Sequence, residues 1–155
     1  MCPRGCPGTV HAHGCYERYA DAEGSPKEKI KRFLCRPCGV TFSVLPSHRL
    51  PYRSIRADRL QGDFDKRAGI QAQSLDPPPR TAEAGCLQRA WSAFSARVSC
   101  LSEAFGQLVE CKPVPASLWR GLRQSMNSLS KMLCFLSEHH RISLLGNYHC
   151  LRPPP

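Results

Sequence analysis

Two pairs of cysteines at the start of the chain have the spacing of metal ligands. Three residues separate Cys2 from Cys6, two residues separate Cys35 from Cys38, and 28 residues lie between the pairs. Cysteine pairs on tight turns present thiolates to one tetrahedral Zn²⁺ ion, and spacings of two to four residues within a pair are usual. Because four thiolates leave no open coordination position, we predict one structural Zn²⁺ ion and no catalytic metal.

Three further potential ligands follow the first pair, namely His11, His13 and Cys15. The spacing of Cys2 and Cys6 is wider than that of the tightest cysteine turns, so each of these three residues is an alternative to Cys6. The regular arrangement of two pairs favours the four-cysteine site. A segment of about 45 residues with few large apolar side chains buries little core, so zinc is expected to supply most of its folding free energy.

Short β-strands are predicted between and after the cysteine pairs. β-Prone residues alternate with polar ones, and Gly24 and Pro26 mark a turn between two of the strands. The predicted strands cover 9–13, 16–19, 29–34 and 40–44. A cysteine turn, strands, a second cysteine turn and a closing strand make up a zinc ribbon, which we place at residues 1–45.

Basic residues are concentrated on the ribbon and directly after it. The chain has a net charge of +10, and residues 27–67 contain eleven basic and four acidic residues. Clustered Lys and Arg side chains favour contacts with phosphate groups, so a nucleic acid, DNA or RNA, is the expected partner. The alternative is a charged face whose only role is solubility. The predicted nucleic-acid-binding residues in this region are Lys27, Lys29, Lys31, Arg32, Arg36, Arg49, Arg53, Arg56 and Arg59.

A basic linker helix is predicted at 52–73, with Arg53, Arg56 and Arg59 along one side. Three prolines at 77–79 end this helix and form a stiff joint, because proline cannot continue a helix. The joint would separate the ribbon and the basic helix from the rest of the chain.

Two longer apolar seams follow, with residues spaced alternately four and three apart, as in packed helices. The first seam consists of Leu87, Trp91, Phe94, Val98, Leu101, Phe105 and Leu108. The second consists of Leu118, Leu122, Met126, Leu129, Leu133 and Leu136. Pro113 and Pro115 separate the seams, so two helices are expected to fold back as an antiparallel hairpin. Because two helices have little interior, either the basic helix or a second molecule, a protomer or a protein partner, should cover the seams.

The predicted fold class is therefore small α+β. Its expected parts are a zinc ribbon at 1–45, a basic linker helix with a Pro-rich joint at 46–80, a helical hairpin at 81–150 and a disordered tail at 151–155. No apolar run reaches the roughly 18 residues of a membrane span, and the first residues lack the apolar stretch of a secretory signal. With cysteines in metal-type pairs, we expect a cytoplasmic protein.

The motifs around the cysteines resemble a known family. They run from Cys2-Pro-Arg-Gly-Cys6 through His13-Gly-Cys-Tyr-Glu-Arg18 to Cys35-Arg-Pro-Cys-Gly-Val-Thr-Phe42 and Leu45-Pro46. Over about residues 1–55 the chain resembles the N-terminal zinc ribbon of bacterial insertion-sequence transposases. Over its whole length it is similar to short bacterial proteins that join this ribbon to helices. The resemblance implies that the four cysteines bind zinc and that Arg18, with the basic strand, faces a nucleic acid.

The expected function is that of a nucleic-acid-binding protein associated with mobile genetic elements, accessory or regulatory and not catalytic. The acidic-triad domain that follows the ribbon in transposases is not found in this sequence. Cys86, Cys100, Cys111 and Cys134 are interpreted as small buried residues, and neither His139 and His140 nor His149 and Cys150 have the spacing of a catalytic or second metal site. The alternatives are a protein–protein adaptor, in which the ribbon docks a partner and the hairpin oligomerises, and a thiol-based or hydrolytic enzyme.

Overall fold

The computed structural model describes residues 2–22, 24, 26–46, 48–50, 53–70, 81–106, 108–109 and 112–146. Within these ranges the chain has a small α+β fold, in which a three-stranded antiparallel sheet precedes five α-helices. The predicted joint and tail lie outside the described residues, as do Cys111, His149 and Cys150.

The sheet consists of β1 (Val10–Tyr19), β2 (Lys27–Cys35) and β3 (Thr41–Val44), paired in that order. The two strands predicted at 9–13 and 16–19 are one strand in the structure. They are joined by a bulge between Ala12 and Cys15, where Gly14 has a φ of 95°. Glycine adopts this φ without steric cost, so the chain absorbs the extra length as a bulge and does not turn.

Five α-helices follow the sheet, and the last continues into a π-helical turn at Leu136–His140. Their bounds are α1 (Ala57–Arg67), α2 (Thr81–Ser95), α3 (Val98–Phe105), α4 (Pro115–Met126) and α5 (Leu129–Phe135). The basic helix predicted at 52–73 is shorter in the structure, since α1 starts at Ala57 and a left-handed Gly69 follows it. Arg53 therefore precedes the helix, and the three arginines do not form one helical side.

Each of the two predicted long helices is divided in the structure. The first seam breaks at Arg97, whose amide bonds to the Phe94 carbonyl in a tightened turn before α3 begins. The second breaks at Asn127, which is left-handed, and at Ser128, whose side chain accepts a hydrogen bond from the Lys131 amide as the N-cap of α5. The seams nevertheless keep most of their inward-facing residues, because each break is only two residues long. The exception is Leu108 at the end of the first seam, which is 46% exposed and does not join the core.

The helical core is built around Phe64 of α1. Its ring lies 4.9 Å from Trp91, 5.3 Å from Phe94 and 5.0 Å from Trp119, measured between ring centroids. Phe64, Phe94 and Trp119 have no exposed surface. Of the two ways in which the seams could be covered, the structure therefore shows the first, with α1 as the third packing element.

A buried arginine joins the sheet to the helical part. The Arg49 side chain has no exposed surface, and its Nε donates to Glu28 Oε2 at 2.8 Å. Its two terminal nitrogens donate to the backbone carbonyls of Tyr19 and Ala20. The Nε2 atom of His48 lies 3.2 Å from the other Glu28 oxygen. These residues form the Arg49 clasp, which fixes the end of β1 and the start of β2 to the segment that leads into α1.

The clasp predicts a pH-dependent stability. The Arg49 guanidinium, assisted by His48 and opposed by burial, lowers the pKa of Glu28 below its ordinary value of 4.5. A carboxyl whose pKa is lower when folded stabilises the protein above its unfolded pKa and loses that contribution as the pH falls through the folded pKa. We expect Glu28→Gln to lower the melting temperature by several degrees at pH 7, and the difference from the wild type to shrink below pH 4.5.

Thermal melts from pH 7 to pH 3, followed by far-UV circular dichroism, which reports on both the sheet and the helices, test this expectation. Glu17→Gln is the matched control, because Glu17 makes only an exposed ion pair of 3.7 Å with Lys27. A difference between Glu28→Gln and the wild type that stays constant with pH would show that the carboxylate charge does not stabilise the clasp.

Among the residues that the structure describes, every helix is too short or too polar to cross a bilayer.

Candidate metal centre and basic sheet face

Four cysteine sulfurs converge at the end of the sheet. The Sγ atoms of Cys2, Cys6, Cys35 and Cys38 all lie within 4.8 Å of one another, and those of Cys2 and Cys38 are 3.6 Å apart. Sulfurs that bind one tetrahedral zinc ion at about 2.3 Å are about 3.8 Å apart. The four predicted ligands are therefore close enough to hold a metal ion.

Local backbone turns present these sulfurs. The Gly5 amide bonds to the Cys2 carbonyl at 2.9 Å, and the Cys35 amide bonds to the Val40 carbonyl at 3.0 Å. Gly5 and Gly39 have φ values of 71° and 65°, which favour glycine and let each turn fold back over its cysteine pair. Each pair is thus assembled by its own turn, and pairing of β1 with β2 brings the two turns together.

The three alternative ligands lie outside this cluster. His11 and His13 are exposed on β1, and Cys15 is an exposed residue opposite Lys31 of β2. Within the described ranges, the four cysteines are the only group of three or more side chains close enough to share a metal ion. Cys6 belongs to that group, so the wider first turn does not displace it.

The thiols of the cluster differ in acidity. Burial raises the pKa of Cys2, but hydrogen bonds from the Arg4 amide and from neighbouring cysteines outweigh it and lower this pKa to about 7. A hydrogen bond with the Cys38 side chain, together with burial, raises the pKa of Cys6 to about 12. A metal ion that binds all four thiolates must therefore release protons, so metal affinity is expected to fall as the pH falls.

Three lysines share one exposed side of the sheet. Lys27, Lys29 and Lys31 alternate along β2 and are all exposed, with Tyr19 paired opposite Lys27 and Val44 opposite Lys31. Residues opposite each other on neighbouring strands point to the same side. The lysine face, as we define it, consists of Cys15, Glu17, Tyr19, Lys27, Lys29, Lys31, Phe33, Phe42 and Val44.

The other side of the sheet faces the helical part. Ile30, only 1% exposed, lies on this side together with Glu28 of the clasp. Arg18, paired opposite Glu28, donates to the Arg53 carbonyl at 2.5 Å. Arg32 also alternates to this side but is exposed. The lysine face is thus the side of the sheet that is turned away from the Arg49 clasp.

The structure separates the predicted nucleic-acid-binding arginines from the lysines. Arg49 is buried in the clasp, and Arg53 donates to the Leu145 carbonyl at 3.4 Å. Arg56 pairs with Asp58, and Arg59 pairs with Glu83, each at 2.8 to 2.9 Å. These four side chains contribute to intramolecular contacts, whereas Arg36 is exposed on the second cysteine turn.

Sequence reasoning missed the aromatic residues of the lysine face. Tyr19 is 52% exposed, with the Lys27 ammonium 5.4 Å from its ring centroid. Phe33 and Phe42 stack across β2 and β3, with centroids 5.8 Å apart and an angle of 26° between their planes. The alternation of Lys27, Lys29 and Lys31 with Phe33 is visible in the sequence, but the register that adds Tyr19 and Phe42 is not.

The remaining cysteines differ from the interpretation given above. Cys100 and Cys134 are exposed, and Cys86 is half-buried with its sulfur accepting from Arg89 at 3.0 Å. Cys100 and Cys134 thus lie on the outer sides of their helices, whereas Cys86 packs partly buried against the helical core. Asp65, in contrast, is a charged residue that is buried. It is 5% exposed and accepts hydrogen bonds from Trp119 and Arg123.

Comparison with known proteins gives no match to a family model, a curated protein or a solved structure.

Proposed function

We propose that this protein is a zinc-dependent nucleic-acid-binding protein that uses the lysine face of a four-cysteine zinc ribbon. The observation that carries the proposal is the placement of Lys27, Lys29 and Lys31 on one exposed side of a sheet that has the cysteine cluster at one end. Within the described residues, neither Lys29 nor Lys31 has a carboxylate partner. Their charges are available to phosphate groups, whereas those of the predicted arginines at 49–59 are engaged within the fold.

Zinc is the proposed metal because four thiolates in a compact tetrahedral arrangement suit it. Iron also binds four thiolates, so elemental analysis of the protein purified from its native host decides between them. One zinc per chain supports the ribbon, and one iron or no metal contradicts it. The ion would be structural, holding the two cysteine turns together, with no role in a reaction.

The resemblance to transposase ribbons supports an accessory or regulatory, non-catalytic role in the cytoplasm, associated with mobile genetic elements. The basic face would position the protein on a nucleic acid through the phosphate backbone. The helical part would carry the contacts to a second protomer or to another protein that acts on the same nucleic acid.

Charge removal on the lysine face tests the proposal. Replacing Lys29 and Lys31 together by Gln should weaken nucleic-acid binding. It should also make the dependence of log K, where K is the binding constant, on log salt less steep by about 1.4 to 1.8, since each phosphate contact contributes about 0.7 to 0.9 to that steepness. Fluorescence anisotropy with labelled oligonucleotides over a salt series measures both quantities.

The matched control replaces Lys66 and Lys131 by Gln, which makes the same charge change at two exposed positions on α1 and α5. An equal loss of binding in both double variants would mean that only the net charge matters. The lysine face would then not be the contact surface.

The second candidate function is a protein–protein adaptor. A cleft of about 440 Å³ beside the π-helical turn is lined by Leu108, Phe135 and His139, and Leu108 is 46% exposed. A partner's apolar side chain would fit such a cleft. Phosphate contacts weaken steeply with salt. A protein partner that remains bound at a salt concentration that releases nucleic acid would therefore favour the adaptor.

A further inference from the structure

The lysine face has aromatic rings at both ends of its row of lysines. Tyr19 lies beside Lys27 at one end, and the Phe33–Phe42 stack lies at the other. Lys27 and Phe33, at the two ends, are six positions apart on β2, which is about 20 Å at the rise of an antiparallel strand. Same-side neighbours on β2 are about 6.6 Å apart, so Lys29 and Lys31 fill the interval at regular steps.

Tyr19 has the exposure that a stacking surface requires. Half of its surface is accessible, and the neighbouring Lys27 ammonium is placed to hold the ring by a cation–π contact. The Tyr19 backbone carbonyl accepts a hydrogen bond from Arg49, so the clasp also fixes the backbone of this residue. A ring held in this way can accept a nucleobase without first being ordered.

Unpaired bases match this combination better than a duplex does. Every base has an aromatic face, and proteins that bind single strands combine a basic surface with aromatic side chains on which bases stack. The bases of a duplex are already stacked on one another, so surface rings reach them only if a base is flipped out. A duplex would use the lysines of this face and leave its aromatic rings without a role.

We propose that the lysine face binds a single-stranded nucleic acid, with bases stacked on Tyr19 and against the Phe33–Phe42 pair and phosphates on Lys29 and Lys31. The inference rests on the proposed function and adds the strandedness of the ligand. Lysine is a compact charge on a flexible stem, so the contacts should tolerate many base sequences. Single-stranded DNA and RNA share this chemistry, and the test compares the two.

The test uses the full-length, metal-loaded protein with three labelled probes of about 20 nucleotides or base pairs, a length that covers the site sizes of known single-strand binders. These are oligodeoxyuridylate, oligouridylate, which differs from it only in the 2′-hydroxyl, and a mixed-sequence DNA duplex. At one salt concentration, the single strands should bind about ten-fold more tightly than the duplex. Equal affinity for the two single strands indicates stacking and phosphate contacts alone, and a difference between them shows that the 2′-hydroxyl is read.

Tyrosine variants separate stacking from charge. Tyr19→Leu should weaken single-strand binding about ten-fold and leave duplex binding unchanged, while Tyr19→Phe retains the ring and should retain the affinity. Tyr16→Leu is the matched control, because Tyr16 is also exposed on β1 but lies opposite Ile30 on the other side of the sheet. Zinc content and circular dichroism verify that each variant is folded.

The outcomes distinguish this inference from the proposed function. Duplex binding at least as tight as single-strand binding, or equal effects of Tyr19→Leu and Tyr16→Leu, would overturn the single-strand site. If the Lys29 and Lys31 variant then still loses affinity, the proposed function stands without it. Absence of binding to all three probes at low salt would contradict both the single-strand site and the proposed function.

Discussion

Replacing Cys35 by Ser is expected to release the proposed zinc ion and unfold the sheet while the helices remain. Cys35 has no exposed surface and belongs to the sulfur cluster. It is also the last residue of β2, where it pairs with Val10 of β1. In small zinc-folded peptides the metal supplies roughly 10 to 16 kcal/mol, far more than a three-stranded sheet of this size gains from its own core. The helical core around Phe64 contains none of the four cysteines.

Zinc content, circular dichroism and tryptophan fluorescence separate these effects. Both tryptophans of the chain, Trp91 and Trp119, pack against Phe64, so their emission reports on the helical core alone. Bound zinc should fall from one equivalent to near zero with little change in that emission. Cys15→Ser is the matched control, because Cys15 is exposed and outside the cluster. Full zinc retention by Cys35→Ser would refute the ligand assignment.

The cysteine cluster could be predicted because its geometry is mostly local. Each pair closes within a single turn, and the turns are marked in the sequence by Pro3 with Gly5 and by Pro37 with Gly39. The alternation of β2 then places Lys29 and Lys31 on one side without knowledge of any partner strand. The positions of Tyr19 and Phe42 required the register of β1 and of β3 with β2, which a single sequence does not contain.

The roles of Arg49, Arg53 and Arg59 could not be predicted because they depend on contacts far along the chain. Arg49 bonds to Glu28 and to the Tyr19 carbonyl, which lie 21 and 30 residues away. The spacing of Arg53, Arg56 and Arg59 is compatible with an exposed helical side, but it cannot show where the helix starts or which carboxylates approach it. A basic cluster in a sequence therefore does not distinguish charges engaged in the fold from charges open to a ligand.

The apolar seams predicted the packing sides of the helices and not their breaks. A period of 3.6 residues continues almost unchanged across a two-residue turn, so the seam through Arg97 has no visible interruption. At Asn127 and Ser128 a signal does exist, because Asn favours a left-handed helix end and Ser favours the cap of the next helix. Helix-capping residues thus indicate a break between two helices even where the apolar spacing continues across it.

Replacing Asp65 by Ala is expected to destabilise the helical core by about 3 kcal/mol. The Asp65 Oδ1 atom accepts from Trp119 Nε1 at 2.7 Å and from Arg123 Nε at 3.0 Å, and the residue is only 5% exposed. Without the carboxylate, the buried indole N–H loses its acceptor and the partly buried guanidinium loses its counter-charge. Both groups were removed from water on folding, so each loss costs its desolvation free energy.

Urea unfolding monitored by tryptophan fluorescence measures this cost, with Asp63→Ala as the matched control. Asp63 lies two residues earlier on α1 and forms a helical ion pair of 2.7 Å with Arg67, whose loss should cost about 0.5 kcal/mol. The double variant Asp65→Ala with Arg123→Ala should be less destabilised than the sum of its single variants, because the uncompensated cation is then absent. Equal costs for the two aspartate variants would show that Asp65 acts as an ordinary surface charge, and strict additivity in the double variant would show that Arg123 does not depend on it.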